Sequence, residues 1–338
     1  MGQRLVDAYD LIIFDLDGVV YLVDQPIPGA VPAIARLREE RRAVAYATNN
    51  ASRRAVEVAE LLSGMGVPAS ADEVLTSAGA AAAVLADQLP AGAPGLVVGA
   101  EALRAEVTAV GLTVVASGDD GPAAVVQGYG PGVGWADLAE ASVAIRAGAS
   151  WVATNTDRTL PTGRGPLPGN GSLVAALATA LERQPDTVVG KPQPGLFATA
   201  ARQAGARSAL VVGDRLDTDI EGAVRAGMDS LLVLTGVSQA ADVLAADPTR
   251  RPTHLAADLA GLFADEAEVR VPAAPVAGGP DGGWRVAVDG GTLTLSGAGD
   301  PPAALRALCP YAWAGDAPVV VAGSADAAAA LKALGLPG

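Results

Sequence analysis

Cysteine is almost absent from this chain. A single thiol, Cys309, stands among 338 residues, so no intrachain disulfide can staple the fold. Histidine is equally scarce. His254 is alone, no Cys/His cluster has zinc-ligand spacing, and zinc chemistry is not expected. Aromatic residues make up 4% of a chain that is 50% hydrophobic, so the core must be built from small aliphatic side chains packed at high density. Positive charge is also short. With 23 Lys and Arg against 37 Asp and Glu, the formal charge of -14 repels nucleic acid and anionic membrane over most of the surface. An anionic small substrate therefore needs a local pocket of positive charge. No apolar run approaches the ~18 residues of a membrane span. Asp7 and Asp10 fall where a signal peptide would need its apolar stretch. These features predict a soluble, cytoplasmic protein with no nucleic-acid or membrane partner, and they leave a homodimer open.

The chain is long enough for two or three domains, each with its own core. Residues 11–15, LIIFD, form a short apolar run of the kind found in central strands covered on both faces. PGAVPAIARLREER then has helical spacing, AVAYATNN (43–50) reads as another buried strand, and Ser52 is placed to cap the helix that follows. The same alternation returns over 194–236, which argues for a doubly wound parallel sheet. Between these halves, 96–100, 123–129 and 151–155 alternate with helical segments and form a second α/β set. A Pro/Gly/Ala-rich stretch, 271–283, reads as linker. Beyond it a hairpin around Asp289-Gly290-Gly291, two helices and a strand make a small α+β tail without a chemical motif. Trp135 and Trp151 are expected to pack the inserted segment, Ser172 to cap a helix, His254 to be structural or solvent-facing rather than catalytic, and Cys309 to be a small buried residue.

Ligands of open parallel sheets bind beyond the carboxyl ends of the strands, and three such ends carry polar groups here. They are Asp15 and Asp17, then Thr48-Asn49-Asn50, then Asp214. Two carboxylates two residues apart, with Gly18 permitting a tight turn, can hold a divalent cation and still offer an oxygen to substrate. Asp214 adds a ligand from another strand, with Asp217 and Asp219 a turn away, and so many carboxylates in one mouth repel each other unless a cation is present. Lys191, in VVGKPQP, supplies the fixed positive charge that such a site needs. Each residue alone could be only a cap or turn former. Their joint order points to chemistry.

The order DLDGVVY (15–21), ATNN (47–50), GKPQP (190–194) and GDRLDTDI (213–220) resembles the four motifs of the haloacid dehalogenase-like hydrolases. The resemblance covers about residues 8–262 and is nearest to the branch with an α/β cap inserted between the second and third motifs, where p-nitrophenyl phosphate, phosphoglycolate, pyridoxal phosphate and nucleotide phosphatases occur. NNASR, AIRAGASWVATN, PLPGNGSLVAAL and VVGDRLDTDIEGA look most like the actinobacterial glycerol 3-phosphate phosphatases. The implied fold is a Rossmann-like core of 1–77 and 187–265, a cap of 78–186, a linker of 266–283 and an α+β extension of 284–338.

By that resemblance Asp15 is the nucleophile, Asp17 the general acid and base, and Thr48 and Lys191 the groups that hold the transferring phosphoryl. Mg2+ is implied between Asp15, the Asp17 backbone carbonyl and Asp214, with Asp219 behind them. Gly18, Asn49, Asn50 and Asn155 are the expected substrate contacts, while the loop through Gly163, Arg164 and Gly165 is assigned to joining the cap to the core. The implied activity is hydrolysis of a small phosphomonoester, glycerol 3-phosphate first. Phosphoglycolate, pyridoxal phosphate, a nucleotide monophosphate or a sugar phosphate is the alternative. A phosphoaspartate receiver is the competing non-enzymatic reading, and the long insertion argues against it.

Overall fold

The computed structural model describes residues 2–23, 25–275, 283–315 and 319–337. It divides into two compact units, one of Met1–Leu22, Pro26–Val44 and Ala204–Gly338, the other of Val23–Gln25 and Ala45–Gln203. The fold is α/β, with a parallel core sheet, an inserted parallel sheet and a small mixed sheet near the C-terminus.

In the first unit, strands Leu11–Phe14, Ala209–Gly213, Asp229–Val233 and His254–Ala256 lie side by side in that order, all parallel. Leu11 through Phe14 and Ala209 through Gly213 are buried at every position, which is why each reads as a continuous apolar run. Helix Ala30–Glu39 turns Ala30, Ala33, Ile34 and Leu37 inward at helical spacing and carries Arg36 and Arg38 in its last turn, where they complement the helix dipole.

The tail belongs to this same unit. Strands Trp284–Asp289 and Thr292–Gly297 pair antiparallel, with Asp289 opposite Thr292. The two residues between them, Gly290 and Gly291, have φ of 52° and 86°, as a tight two-residue hairpin turn requires. Strand Val319–Ala322 joins in parallel, and helices Pro301–Ala312 and Ala325–Ala333 complete the tail. Of the expected linker, 276–282 lies outside the described residues, whereas Glu266–Val269 is helical and Val271 is buried.

In the second unit, Tyr46, Ala47 and Thr48, the end of strand Ala43–Thr48, pair in parallel with Val74–Thr76. Five further parallel strands form a sheet in the order Thr187–Val188, Ser150–Ala153, Ala124–Gln127, Pro94–Val98, Thr113–Val115. Two apolar clusters cover this sheet, one containing Leu103, Val107 and Val126, the other Trp151, Ile145 and Leu177.

Three local expectations need correction. Trp135 does not pack inward but is 84% exposed at the start of helix Trp135–Arg146, whose inner face is Ala141, Ala144 and Ile145. Ser52 is no helix cap, because its hydroxyl donates to Asn50 Oδ1 at 2.8 Å. Helix Ala55–Gly64 starts after Arg54, whose N–H donates to Glu57. Ser172 likewise lies inside helix Asn170–Leu181 and donates to the Arg158 carbonyl at 2.7 Å. Trp151 and Cys309 are fully buried, as expected, and of the two placements open to His254 the structure takes the buried one, with no exposure to solvent.

Candidate active site

Asp15 leaves strand Leu11–Phe14 and Asp214 leaves strand Ala209–Gly213. Because Phe14 stands opposite Val212 in a parallel pair, both aspartates emerge at the same carboxyl edge. The Asp15 N–H donates to the Val212 carbonyl at 2.9 Å, extending the ladder to the aspartate itself. Asp219 returns to this edge through the wide π-helical turn Leu216–Ile220, in which the Asp219 and Ile220 N–H groups both donate to Arg215 O at 3.1 Å. The Arg215 N–H donates back to Asp219 Oδ2 at 3.2 Å. One carboxylate oxygen from each of Asp15, Asp214 and Asp219 then lies within 4.8 Å of the others, and all three residues are buried.

Three buried carboxylates at such range repel strongly unless a cation neutralises them. An all-oxygen donor set suits Mg2+ better than a soft metal, so these residues fit the ion. The Asp17 carboxylate is not a member of this group, and Asp17 itself is half-buried in the turn where Gly18 N–H donates to Tyr21 O at 2.7 Å. Beside the cluster, Asp217 is held below the usual carboxylate range. Burial alone would raise it, and the Arg215 fork at 3.0 and 2.9 Å outweighs that.

Asp214 is seated by close backbone approach. Gly18, at φ +88°, leaves a gap in which a Cβ would come within 2.6 Å of Asp214 Oδ2, and at Gly236 a Cβ would come within 2.5 Å of Asp214 Cγ. The Val237 N–H donates to Asp214 Oδ2 at 2.7 Å and Ser238 N–H to the Asp214 carbonyl at 3.1 Å. Ser238 Oγ in turn accepts from Leu216 N–H at 3.0 Å. The sequence carries no sign of the Gly236-Val237-Ser238 loop's role, since it follows an apolar strand and holds no charged residue.

The second unit holds the other expected residues. Thr48 ends its strand with 2% exposure, and its hydroxyl accepts from Asn50 N–H at 3.1 Å. The Asn49 side chain clasps the Lys191 backbone, giving Nδ2 to Lys191 O at 3.0 Å and accepting Lys191 N–H on Oδ1 at 2.8 Å. Its Nδ2 also reaches the Asp157 carboxylate at 3.1 Å. Asn155 gives its amide to the Asn49 carbonyl at 2.7 Å and accepts Asp157 N–H at 3.1 Å. Asn170 then holds the Asn155 carbonyl at 2.7 Å. Gly190 permits this crowding, since a Cβ there would meet Asn49 Oδ1 at 2.5 Å. Lys191 is 2% exposed, an unusual environment for an ammonium unless it faces negative charge.

Residues 12–113 match the haloacid dehalogenase-like hydrolase family and 188–262 the HAD-hydrolase-like family, while 281–336 match the GCN5-related N-acetyltransferase like domain. The chain is 50% identical over 298 residues to the D-glycerol 3-phosphate phosphatase of Mycobacterium tuberculosis, covering 88% of this chain and 81% of that protein. A crystal structure of glycerol phosphate phosphatase from M. tuberculosis in complex with magnesium superposes with a TM-score of 0.91 at 47% identity, covering 100% of both chains. The 4-nitrophenylphosphatase of Thermotoga maritima gives 0.71 at 30% identity, covering 77% of this chain and 98% of that one. The chain belongs to the haloacid dehalogenase-like hydrolases, in the subfamily of the p-nitrophenyl phosphatases.

Proposed function

We propose that this chain is a Mg2+-dependent phosphomonoesterase that hydrolyses glycerol 3-phosphate to glycerol and inorganic phosphate. The observation that carries the substrate is the 50% identity with the M. tuberculosis D-glycerol 3-phosphate phosphatase over 88% of the chain. The observation that carries the chemistry is the buried group Asp15, Asp214 and Asp219.

An Asp15 carboxylate oxygen attacks phosphorus, the ester P–O bond breaks, and Asp17 gives its proton to the departing glycerol oxygen. Asp17, now a base, takes a proton from water. The water oxygen attacks the phosphorus of the aspartyl-phosphate, the Asp15 O–P bond breaks, and phosphate leaves. Thr48 and Lys191 hold the non-bridging phosphoryl oxygens, with Gly18 and Asn50 adding hydrogen bonds. We assign Asn49 and Asn155 to fixing the loop that carries Lys191, because their amides are engaged by backbone and by Asp157. Asp15, Asp214 and the Asp17 carbonyl would hold Mg2+, with Asp219 supporting them. Bound there, the ion neutralises charge that develops on the phosphoryl oxygens.

Residues 78–186 act, in this reading, as a cap that excludes water and selects the leaving alcohol. In this reading the enzyme works in the cytoplasm on a small phosphorylated metabolite, and a homodimer is the oligomeric state to test. No helix among the described residues is long and apolar enough to cross a membrane, and sedimentation equilibrium distinguishes the dimer from a monomer. The activity is tested by phosphate release from glycerol 3-phosphate, phosphoglycolate, pyridoxal phosphate, nucleotide monophosphates and sugar phosphates, with and without Mg2+. Highest kcat/KM for glycerol 3-phosphate supports the assignment, and a better alternative substrate replaces it.

A further inference from the structure

The tail shares its hydrophobic core with the turn that carries the acidic cluster. Leu216 and Ile220, at the two ends of the turn containing Asp219, lie in one continuous cluster with Leu232, Val243 and Leu255 of the parallel-sheet region and with Trp284, Leu305 and Leu308 of the tail. Helix Pro301–Ala312 is buried along almost its whole length and packs on helix Ala240–Leu244 and on strand His254–Ala256. Polar contacts fasten the same junction. Trp313 Nε1 donates to the Val243 carbonyl at 2.9 Å, Arg251 gives Nη2 to the Trp313 carbonyl at 3.2 Å, and Arg306 gives Nη1 to the Leu255 carbonyl at 3.2 Å.

Helix Ala240–Leu244 begins directly after the loop that seats Asp214. In that loop Val237 N–H binds the Asp214 carboxylate, and Ser238 joins the Asp214 carbonyl to Leu216 N–H. A physical path thus runs from the tail helix through Trp313 and helix Ala240–Leu244 to Ser238 and Asp214. It uses packed side chains, ordinary hydrogen bonds and the covalent chain that joins Ser238 to helix Ala240–Leu244. Relatives such as the Thermotoga 4-nitrophenylphosphatase match this chain over 77% of its length while 98% of their own is covered, so about a quarter of this chain has no counterpart in them. The tail is thus buried against the helix that this loop leads into.

We propose that the C-terminal unit is a positioning element for the acidic cluster, holding helix Ala240–Leu244 and thereby the Gly236-Val237-Ser238 loop that orients Asp214. Trp313, Leu308 and Ser238 are its positioning residues. The proposal rests on the reading of Asp214 as a metal ligand.

The experiment measures Mn2+ binding to the full chain without substrate, by electron paramagnetic resonance of the free ion, with Mg2+ as competitor. Trp313→Phe keeps an aromatic ring but removes the N–H to Val243 together with part of the indole's bulk, Ser238→Ala removes the hydroxyl that holds Leu216, and Leu308→Ala opens a cavity in the shared core. Leu37→Ala, a buried leucine outside this cluster, is the control for general destabilisation. All are compared at a temperature where near-ultraviolet circular dichroism shows a native fold. Loss of supporting contacts behind a metal ligand weakens affinity by roughly tenfold. That loss is expected for Ser238→Ala and Leu308→Ala, a smaller one for Trp313→Phe and none for Leu37→Ala, with Leu308→Met restoring binding. Wild-type affinity in both tail variants, Leu308→Ala and Trp313→Phe, overturns the inference whatever Ser238→Ala does, as does equal weakening by Leu37→Ala. Asp214→Asn separates the two readings. If it too binds Mn2+ normally, the metal site itself is misassigned.

Discussion

Replacing Gly236 with alanine puts a methyl group where the Asp214 carboxylate lies. The new Cβ would overlap Asp214 Oδ2 and stand 2.5 Å from Asp214 Cγ, against the ~3.5 Å that two carbons need, so the carboxylate must retreat by at least about 1 Å. The retreat also strains the Val237 N–H bond to Asp214 Oδ2, now 2.7 Å. A hydrogen bond to a charged acceptor contributes about 1.5–3 kcal/mol, which converts to roughly ten- to a hundredfold. A displacement of about 1 Å in a positioned catalytic group costs on the order of a hundredfold in rate by an independent route. Gly236→Ala should therefore lower kcat/KM for glycerol 3-phosphate by about a hundredfold and raise the Mg2+ concentration for half-maximal rate. The assay is phosphate release across a Mg2+ titration. Gly64→Ala is the control, since a Cβ there meets nothing within 4 Å, and its kinetics should be those of the wild type. Activity of Gly236→Ala within threefold of wild type, with unchanged Mg2+ dependence, would refute the claim that this glycine seats Asp214.

Other expectations can be checked with simpler measurements. Asn49→Ala removes both bonds to the Lys191 backbone and should cost about 3 kcal/mol in urea unfolding, as unpaired buried groups do, together with a fall in kcat; a loss under 1 kcal/mol contradicts the clasp. Trp135→Ala, at an 84% exposed position, should leave stability within about 0.5 kcal/mol. Burial holds the His254 pKa below the ordinary imidazole value against the opposing pull of Glu266, 3.0 Å from Nε2. The unfolded chain therefore binds this proton first, so the contribution of the neutral ring is whole above about pH 6.5 and is lost as pH falls from there towards the folded pKa. Nitrogen NMR of the chain's single histidine reads this directly, and a titration midpoint above the ordinary value would show the sign to be wrong.

The strand ends were legible because a buried parallel strand must be apolar throughout and must stop at its polar residue. Leu11–Phe14 and Ala209–Gly213 satisfy both conditions, and Asp15 and Asp214 follow them immediately. The hairpin at Gly290-Gly291 is legible for a similarly local reason, because two successive positive φ values strongly favour glycine. Tertiary choices left fainter marks. Trp135 lies roughly 130° around its helix from the face defined by Ala141, Ala144 and Ile145, and bulk alone does not say which side is covered. Ser52 and Ser172 had the chemistry of caps, but nearby acceptors, Asn50 and the Arg158 carbonyl, took their hydroxyls. The clasp of Asn49 on Lys191 links residues 142 positions apart, and no local pattern encodes that. The tail read as an appendage because a Pro/Gly-rich stretch precedes it, whereas its apolar helix Pro301–Ala312 is buried in a core shared with Val243 and Leu255.

The central claim is that Asp15 takes the phosphoryl group from a small phosphomonoester, and rapid acid quench tests it most directly. Wild-type enzyme mixed with radiolabelled glycerol 3-phosphate and Mg2+ and quenched within milliseconds should carry label on the peptide containing Asp15, chased into free phosphate on longer incubation. Asp17→Asn should both acquire label and lose it more slowly than the wild type, and Asp15→Asn should carry none. Release of phosphate by the wild type at full rate with no label on the chain at any quench time, or label persisting on Asp15→Asn, would contradict the account.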